Sequence, residues 1–291
     1  EADRVCGDAD IDELRGVVAR LADQAGGADE AAGTAESEGA AASAGTESDL
    51  AARRFAEREC AAALVAAERA VALHTRRTAL RLPPAAGAQS GLAGTGLGGA
   101  PLRLLLIGES TVAGVGVEAQ EAALAGQLAQ ALAARLQRPV AWRACGENGI
   151  TADEACTRLL PLALREPADL VLLVFGVNDT THLSSLARWR RSLRTLSRAL
   201  AARGTRVVFT GVPPIQHFSA LPWLLRRLFG LRAALLDGEL RRLSAREGAH
   251  YARLQLEFAE EYLARDGYHP SALGYRLWGE GLAEQLTPSA G

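Results

Sequence analysis

From residue 101 onward, short apolar runs alternate with longer segments whose apolar residues recur at helical spacing. Such runs are typical of strands that are covered on both faces of a parallel sheet. We predict five strands, at residues 102–107, 140–144, 170–175, 206–210 and 250–254. Helices are predicted near residues 118–136, 152–165, 183–203, 231–247 and 271–286. This order predicts one α/β domain over residues 101–286, with a five-stranded parallel sheet between helices.

The first hundred residues have a different composition. Residues 1–50 hold 13 acids and 3 Arg, and residues 31–45 contain only Ala, Gly, Ser, Thr and Glu. Because such a segment buries too little apolar surface to offset its ordering entropy, residues 1–47 are predicted to be an acidic, largely disordered tail. A helix is predicted at 48–82, ending before two Pro residues. Six Gly between residues 83 and 100 predict a flexible linker. Residues 287–291 are predicted to be a second tail.

Composition removes several classes of function. The chain contains no Lys, so all 32 basic residues are Arg, and sites that depend on a P-loop lysine or a Schiff-base lysine are excluded. The four Cys lack zinc-ligand spacing, so we predict no metal and no disulfide framework. After residue 100 the excess of Arg over acids is small and interspersed, which argues against a nucleic-acid partner.

One stretch has the length of a membrane span. Residues 207–225 lack Asp, Glu and Arg, but three Pro interrupt them together with Gln216 and His217. We therefore predict a strand and a loop there. Association with a membrane surface is left open without a positive indication, and the oligomeric state is not predicted. The lack of a visible leader or spanning segment favours a cytoplasmic location, although a chain without an initial Met is also consistent with a removed leader.

Reactive and polar residues follow the predicted strands. Ser110 follows the first strand, Gly149 the second and Asn178 the third, while Asp266 and His269 come just before the last helix. Ligands of open α/β sheets bind beyond the carboxyl ends of the strands, so we expect these five residues to meet there. Asn178 is one of only two Asn residues in the chain, which favours a specific role over a simple turn cap.

These residues supply the four parts that acyl transfer needs. Ser110 would be the nucleophile, His269 its base, and Asp266 the group that orients the imidazole. The backbone N–H groups of Ser110 and Gly149 and the side-chain amide of Asn178 would bind the oxyanion.

Four segments resemble motif blocks of the SGNH hydrolases, also called GDSL esterases and lipases. Gly-Glu-Ser-Thr-Val-Ala-Gly at 108–114 is similar to the Gly-Asp-Ser block, and Gly149 to the glycine of the second block. Gly-Val-Asn-Asp at 176–179 and Asp-Gly-Tyr-His at 266–269 are similar to Gly-x-Asn-Asp and Asp-x-x-His. The resemblance implies a three-layer α/β/α flavodoxin-like fold, the roles given above, and ester hydrolysis without a metal or cofactor. Glu109 replaces the usual Asp, which is expected to affect chiefly the local turn.

The predicted function is therefore a serine-dependent carboxylic ester hydrolase, of the esterase, lipase or lysophospholipase-like type, that acts on a small-molecule ester through an acyl-enzyme. A carbohydrate O-acetyl esterase is the first alternative, and a non-catalytic ligand-binding module on the same fold is the second. Val112 replaces the second Gly of the Gly-x-Ser-x-Gly elbow, which argues against an ordinary α/β-hydrolase. The loose dinucleotide pattern at 114–119 begins too far beyond the strand to indicate nucleotide binding.

The segment after the fourth strand is the candidate substrate wall. It carries Phe218 and Trp223 in a Pro-rich stretch that we predict to be a loop. Their rings would contact an acyl chain, or would alternatively pack the loop onto the sheet.

Overall fold

The computed structural model describes residues 80–254 and 259–287. The predicted tail at 1–47, the predicted helix up to residue 79, and residues 288–291 lie outside the described residues. The last three residues of that predicted helix, 80–82, are described and are not helical.

Six strands form one sheet in the order β1-β3-β2-β4-β5-β6. They are β1 Ser90–Ala93, β2 Leu102–Gly108, β3 Val140–Gly146, β4 Leu170–Val174, β5 Arg206–Thr210 and β6 His250–Ala252. Strands β2 to β6 are mutually parallel, whereas β1 pairs antiparallel with β3. The parallel strands bring their carboxyl ends to the same end of the sheet, which positions the loops that follow them.

Helices cover both faces of the sheet. They are α1 Leu124–Leu136, α2 Ala152–Arg158, α3 Leu160–Ala163, α4 Val177–Thr181, α5 Leu186–Ala201, α6 Trp223–Glu247 and α7 Ala272–Leu286. Alternate residues of β2 point to opposite faces, with Leu105 and Ile107 in one apolar cluster and Leu104 and Leu106 in the other. The first cluster includes residues of α2, α3, α5 and α6, and the second includes residues of α1 and α7. The predicted three-layer α/β/α fold is confirmed.

The sheet has one strand more than the five predicted, and the additional strand lies in the segment at 83–100 that was predicted to be a flexible linker. Residues 90–93 of that segment form β1, with Ser90 opposite Arg143 and Ala93 opposite Val140. The Gly content that suggested flexibility includes Gly91, where a Cβ would lie 2.7 Å from the indole of Trp142. Gly is therefore needed there for close packing of the strand.

The start of α6 also differs from the prediction. The helix begins at Trp223 rather than at residue 231, so Trp223 lies on its first turn and not in a loop. Pro222 occupies the cap position, and Pro is tolerated at the start of a helix because the first N–H groups lack intrahelical partners anyway. Within residues 80–254 and 259–287, no helix combines the length and the apolar character that crossing a bilayer requires.

Candidate active site

Ser110 lies in a tight turn directly after β2. We call residues 109–116 the nucleophile turn; in it Glu109 O accepts hydrogen bonds from Val112 N at 2.9 Å and Ala113 N at 3.1 Å. The turn begins at Gly108, where a Cβ would collide with the carbonyl oxygen of Val174 on β4. Ser110 is 6% exposed, so its hydroxyl sits within the protein surface rather than projecting from it.

Asp266 and His269 form a close pair ahead of α7. Asp266 Oδ2 lies 2.7 Å from Nδ1 of His269, and Asp266 Oδ1 accepts from the backbone N–H groups of Tyr268 and His269, each at 3.0 Å. Burial by itself raises the pKa of Asp266, but the imidazole and these N–H groups outweigh it and hold the pKa below its usual range. An ionised carboxylate on Nδ1 orients the ring and leaves Nε2 for the nucleophile.

The nucleophile turn and the Asp266–His269 segment are in direct contact. At Gly116, which has φ of 108°, a Cβ would collide with the carbonyl oxygen of Pro270 and lie 3.3 Å from Cβ of His269. Tyr275 of α7 anchors the same turn, because its hydroxyl donates to Val115 O at 2.7 Å. The fold therefore brings together the predicted nucleophile loop and the predicted base.

The predicted oxyanion donors come from the loops after β3 and β4. Gly149 has φ of 85° and is exposed, with open space where a Cβ would point, so its requirement for Gly is conformational rather than steric. The Nδ2 of Asn178 donates to Ile150 O at 3.1 Å, and Oδ2 of Asp179 accepts from Ala152 N at 2.9 Å. Two adjacent side chains thus hold the segment that follows Gly149.

Glu109 has a role that the sequence analysis missed. Its Oε1 accepts from Val177 N at 3.0 Å and its Oε2 from Asn178 N at 2.9 Å, so it ties the nucleophile turn to α4. The residue is 3% exposed, and this burial raises the pKa of Glu109 to about 8, with a contribution from the charge of Asp179. An acid next to the predicted nucleophile, at the end of an apolar strand, was the available signal, but the partners of Glu109 are 68 and 69 residues away.

The two predicted wall residues occupy different environments. Phe218 is buried and packs edge-on against Tyr268, with ring centroids 4.8 Å apart, and Tyr268 in turn lies 5.1 Å from the ring of His269. Burial favours the packing role for Phe218. Trp223 is 49% exposed, with the guanidinium of Arg227 5.9 Å from its ring centroid.

No group of three or more His, Cys, Asp or Glu side chains suited to a metal ion is present in the part of the chain that the structure describes. Cys145 and Cys156, both half-buried, are free thiols. Burial raises the pKa of each thiol, so neither is primed to react as a thiolate at neutral pH.

Comparison with known proteins gives one family and a consistent fold. Among solved structures, the lipase/acylhydrolase from Enterococcus faecalis matches with a TM-score of 0.52 and 24% identity, over 64% of this chain and 95% of that one. Est24, a carbohydrate acetylesterase from Sinorhizobium meliloti, matches with a TM-score of 0.50 and 18% identity, over 64% and 98%. At these identities the likeness shows the fold alone. A search of the curated proteins found no match.

The sequence itself gives the family. Residues 106–277, more than half of the chain, match the family model for the GDSL-like lipases and acylhydrolases. That range contains all four motif blocks, and the resemblance inferred from them is confirmed. This chain therefore belongs to the GDSL-like lipase/acylhydrolase family and is a hydrolase of the SGNH fold.

Proposed function

We propose that this chain is a serine-dependent carboxylic ester hydrolase that works through an acyl-enzyme. The observation that carries the proposal is the 2.7 Å contact between Asp266 Oδ2 and His269 Nδ1, on a segment packed directly against the turn that holds Ser110. A carboxylate, an imidazole and a serine hydroxyl in this order form the arrangement that activates serine for attack on an ester.

In the first half-reaction, Ser110 Oγ attacks the carbonyl carbon of the ester and its proton passes to Nε2 of His269. The carbonyl π electrons move to oxygen, and the resulting oxyanion is stabilised by the N–H groups of Ser110 and Gly149 and by the side-chain amide of Asn178. The tetrahedral intermediate then collapses and breaks the bond to the alcohol oxygen, which takes the proton from Nε2. The products are the free alcohol and an acyl ester on Ser110.

In the second half-reaction, water takes the place of the alcohol. Nε2 of His269 removes one proton as the water oxygen attacks the acyl carbon, and the same proton returns to Ser110 Oγ when the acyl bond breaks. The carboxylic acid leaves and the serine is regenerated. Asp266 stays ionised throughout, because its part is to hold the ring and to stabilise the imidazolium that forms in both halves.

Ser110→Ala tests the chemistry. Ester hydrolysis should fall by about 10⁴-fold or more, leaving the part that oxyanion donors and binding provide. A fluorophosphonate probe should label the wild-type chain at Ser110 and should leave the variant unlabelled. Ser90→Ala, which removes an exposed serine of β1, is the control and should be labelled as the wild type is. Unchanged kcat in a folded Ser110→Ala chain would show that Ser110 is not the nucleophile. No hydrolysis and no labelling by the wild type would favour the non-catalytic binding module.

We infer that the substrate is a lipid-like or simple carboxylic ester. Trp223 supports this, since a half-exposed indole on the first turn of α6 offers a face to an acyl chain. The alternative, a carbohydrate O-acetyl ester, is supported by the burial of Phe218, which shortens the wall, and by the fold likeness to Est24.

A chain-length series of p-nitrophenyl esters separates the two substrates. An acyl wall predicts that kcat/KM rises with length up to about four to eight carbons, with up to ~0.8 kcal/mol for each buried CH₂. Trp223→Ala should then flatten the series, while Leu162→Ala, which removes another exposed apolar side chain, should not. A sharp acetate optimum that both variants share would assign the O-acetyl ester instead.

A further inference from the structure

Exposed apolar side chains are concentrated on one part of the surface. Eight large apolar side chains of the described residues are exposed, and five of them lie in the loop before α5, on its first turn, or in the first half of α6. We call these five the Leu/Trp surface: Leu183 at 42% exposure, Leu186 at 39%, Trp223 at 49%, Leu231 at 60% and Leu235 at 61%. Single exposed leucines are ordinary, whereas a contiguous group indicates an interaction site.

The register of α5 and α6 brings two members of the group to the same level of neighbouring helices. Nη1 of Arg190 lies 3.5 Å from a carboxylate oxygen of Glu239, and further along both helices Nε of Arg194 lies 3.1 Å from one of Glu247, so the helices run side by side in the same direction. Leu186 is one turn before Arg190, and Leu235 is one turn before Glu239. Because residues four apart share a helix face, Leu186 and Leu235 lie on neighbouring helices, each one turn before a member of this ion pair.

The loop before α5 joins the same surface. The guanidinium of Arg232 on α6 donates to Ser184 O, which places Leu183 beside the third turn of that helix, where Leu231 lies. Leu183 has φ of 56°, a left-handed conformation that bulky side chains rarely adopt. An exposed leucine is therefore held in place by the loop against its own backbone preference, at a position where Asn or Gly would fit more easily.

The charge around the Leu/Trp surface is predominantly positive. Residues 221–236 contain three Arg, at 226, 227 and 232, and no acid. The first turns of α5 add Arg188, Arg190 and Arg191. The acids that pair with these Arg side chains are Asp153, 3.9 Å from Arg188, and Glu239, which pairs with Arg190 and Arg242. Glu154 and Asp179 lie near His182, beside the loop that carries Leu183. The net positive rim complements an anionic partner.

The Leu/Trp surface lies at the catalytic end of the sheet. Leu183 and Leu186 follow β4, and Trp223 follows β5, so all three extend from carboxyl ends of strands. Trp223 is five positions after Phe218, which packs on Tyr268 beside His269, and five extended residues span at most about 18 Å. The Trp223 end of the surface thus lies at the same edge of the sheet as the nucleophile turn.

We propose that the Leu/Trp surface docks onto an anionic lipid surface. The leucines and the indole would enter the boundary between headgroups and acyl chains, and the surrounding guanidinium groups would contact lipid phosphates. Exposed Leu and Trp side chains surrounded by Arg have the composition of elements that lie in this interface. The proposal goes beyond ester hydrolysis, because docking does not require Ser110.

Flotation of the full chain with vesicles tests the proposal. Vesicles of phosphatidylcholine with one third phosphatidylglycerol should bind the wild-type chain at least about tenfold more tightly than pure phosphatidylcholine vesicles, and salt should weaken the difference. Ser110→Ala should bind as the wild type does. Failure of docking and failure of the proposed hydrolysis are therefore distinguishable, since each is measured without the other.

Paired variants localise the contact. Leu231→Ser with Leu235→Ser should weaken binding to the mixed vesicles by at least about tenfold, and Arg227→Gln by about fivefold. The matched controls are Leu92→Ser with Leu162→Ser, and Arg276→Gln on α7, which should bind like the wild type. All replaced side chains are exposed, so the circular dichroism and Tm of each variant should match those of the wild type.

Three outcomes would overturn the proposal. One is that the wild-type chain floats with neither kind of vesicle. Another is equal loss of binding in the Leu231/Leu235 variant and in the Leu92/Leu162 control. The third is a dimer in light scattering that the Leu231/Leu235 variant abolishes, which would assign the surface to a second copy of this chain.

Discussion

Glu109 and Asp266 are two nearly buried carboxylates that each accept hydrogen bonds from two backbone N–H groups, yet their pKa values are shifted in opposite directions. The pKa of Asp266 lies below its usual range because the His269 imidazole adds to the N–H groups, whereas the pKa of Glu109 is raised to about 8 because burial is not offset by a cationic partner. At Glu109, the hydrogen bonds from N–H groups do not offset the desolvation of the carboxylate. At Asp266, the imidazole of His269, which can carry a positive charge, adds the stabilisation that lowers the pKa.

The opposite pKa shifts indicate different roles for the carboxylates of Asp266 and Glu109. In the proposed mechanism, Asp266 stays ionised and stabilises the positive charge that forms on His269 during each half-reaction. Glu109 faces α4 and holds the backbone from which Asn178 extends, so it acts through another residue. We expect loss of Asp266 to stop proton transfer and loss of Glu109 to displace an oxyanion donor.

The largest expected effect is on kcat in Asp266→Asn. The Asn amide would donate to Nδ1 of His269 and leave the proton on Nε2, the wrong tautomer for a base, so kcat should fall by about 10⁴-fold. Steady-state kinetics with a p-nitrophenyl ester measures it. Asp169→Asn, which removes a carboxylate paired with Arg103 away from the site, is the control and should keep the wild-type kcat. A loss under tenfold in Asp266→Asn would mean that Asp266 does not orient the base.

The next effect is on stability against pH. Because the folded pKa of Glu109 is above its unfolded value, the native state binds the extra proton between about pH 4.5 and 8, and stability falls as pH rises through that window. The loss should reach ~3–5 kcal/mol, since each unit of pKa corresponds to about 1.4 kcal/mol. Asp266 has the opposite sign: its contribution is present at neutral pH and is lost as pH falls through its lowered pKa.

Urea unfolding of the wild type and Glu109→Gln at several pH values isolates this effect. The difference between their unfolding free energies should change across pH 5 to 8, because Gln does not titrate. The Asp266→Asn variant should instead differ from the wild type in slope only at acidic pH. A constant difference between the wild type and Glu109→Gln would show that Glu109 is ionised over the whole window.

The smallest effect is that of Glu109→Gln on kcat. One of the two N–H groups at the start of α4 would meet an NH₂ group instead of an oxygen, which should shift Asn178 and lower kcat by about 10- to 100-fold. KM should change less, since the oxyanion exists only after attack. Glu109→Asp, the usual residue of the family, should recover most of the activity, and Glu118→Gln in the same loop should have no effect. A change confined to KM would make Glu109 a substrate-binding residue.

The sequence was informative where a pattern is local. The parallel strands are continuous apolar runs, and Ser110, Asp266 and His269 lie in short motifs within the range that matches the family model. By contrast, the partners of Glu109 depend on which loops the sheet order brings together, and nothing near residue 109 specifies Val177 and Asn178. The start of α6 was not predictable from the sequence, because Pro222 is compatible both with a loop and with the cap position of a helix.

Strand β1 determines where the catalytic domain begins as a folding unit. The motif blocks start at Gly108, but β1 covers the outer side of β3, and further upstream Ala85 N and Ala86 N donate to Ala113 O and Glu118 O of the segment after β2. A chain that lacks residues 1–95 would keep every motif and still lose these bonds. The N–H and C=O groups on the outer side of β3 would then be free to pair with another molecule. Such a truncation should aggregate, whereas one that starts near residue 80 keeps the sheet closed on that side.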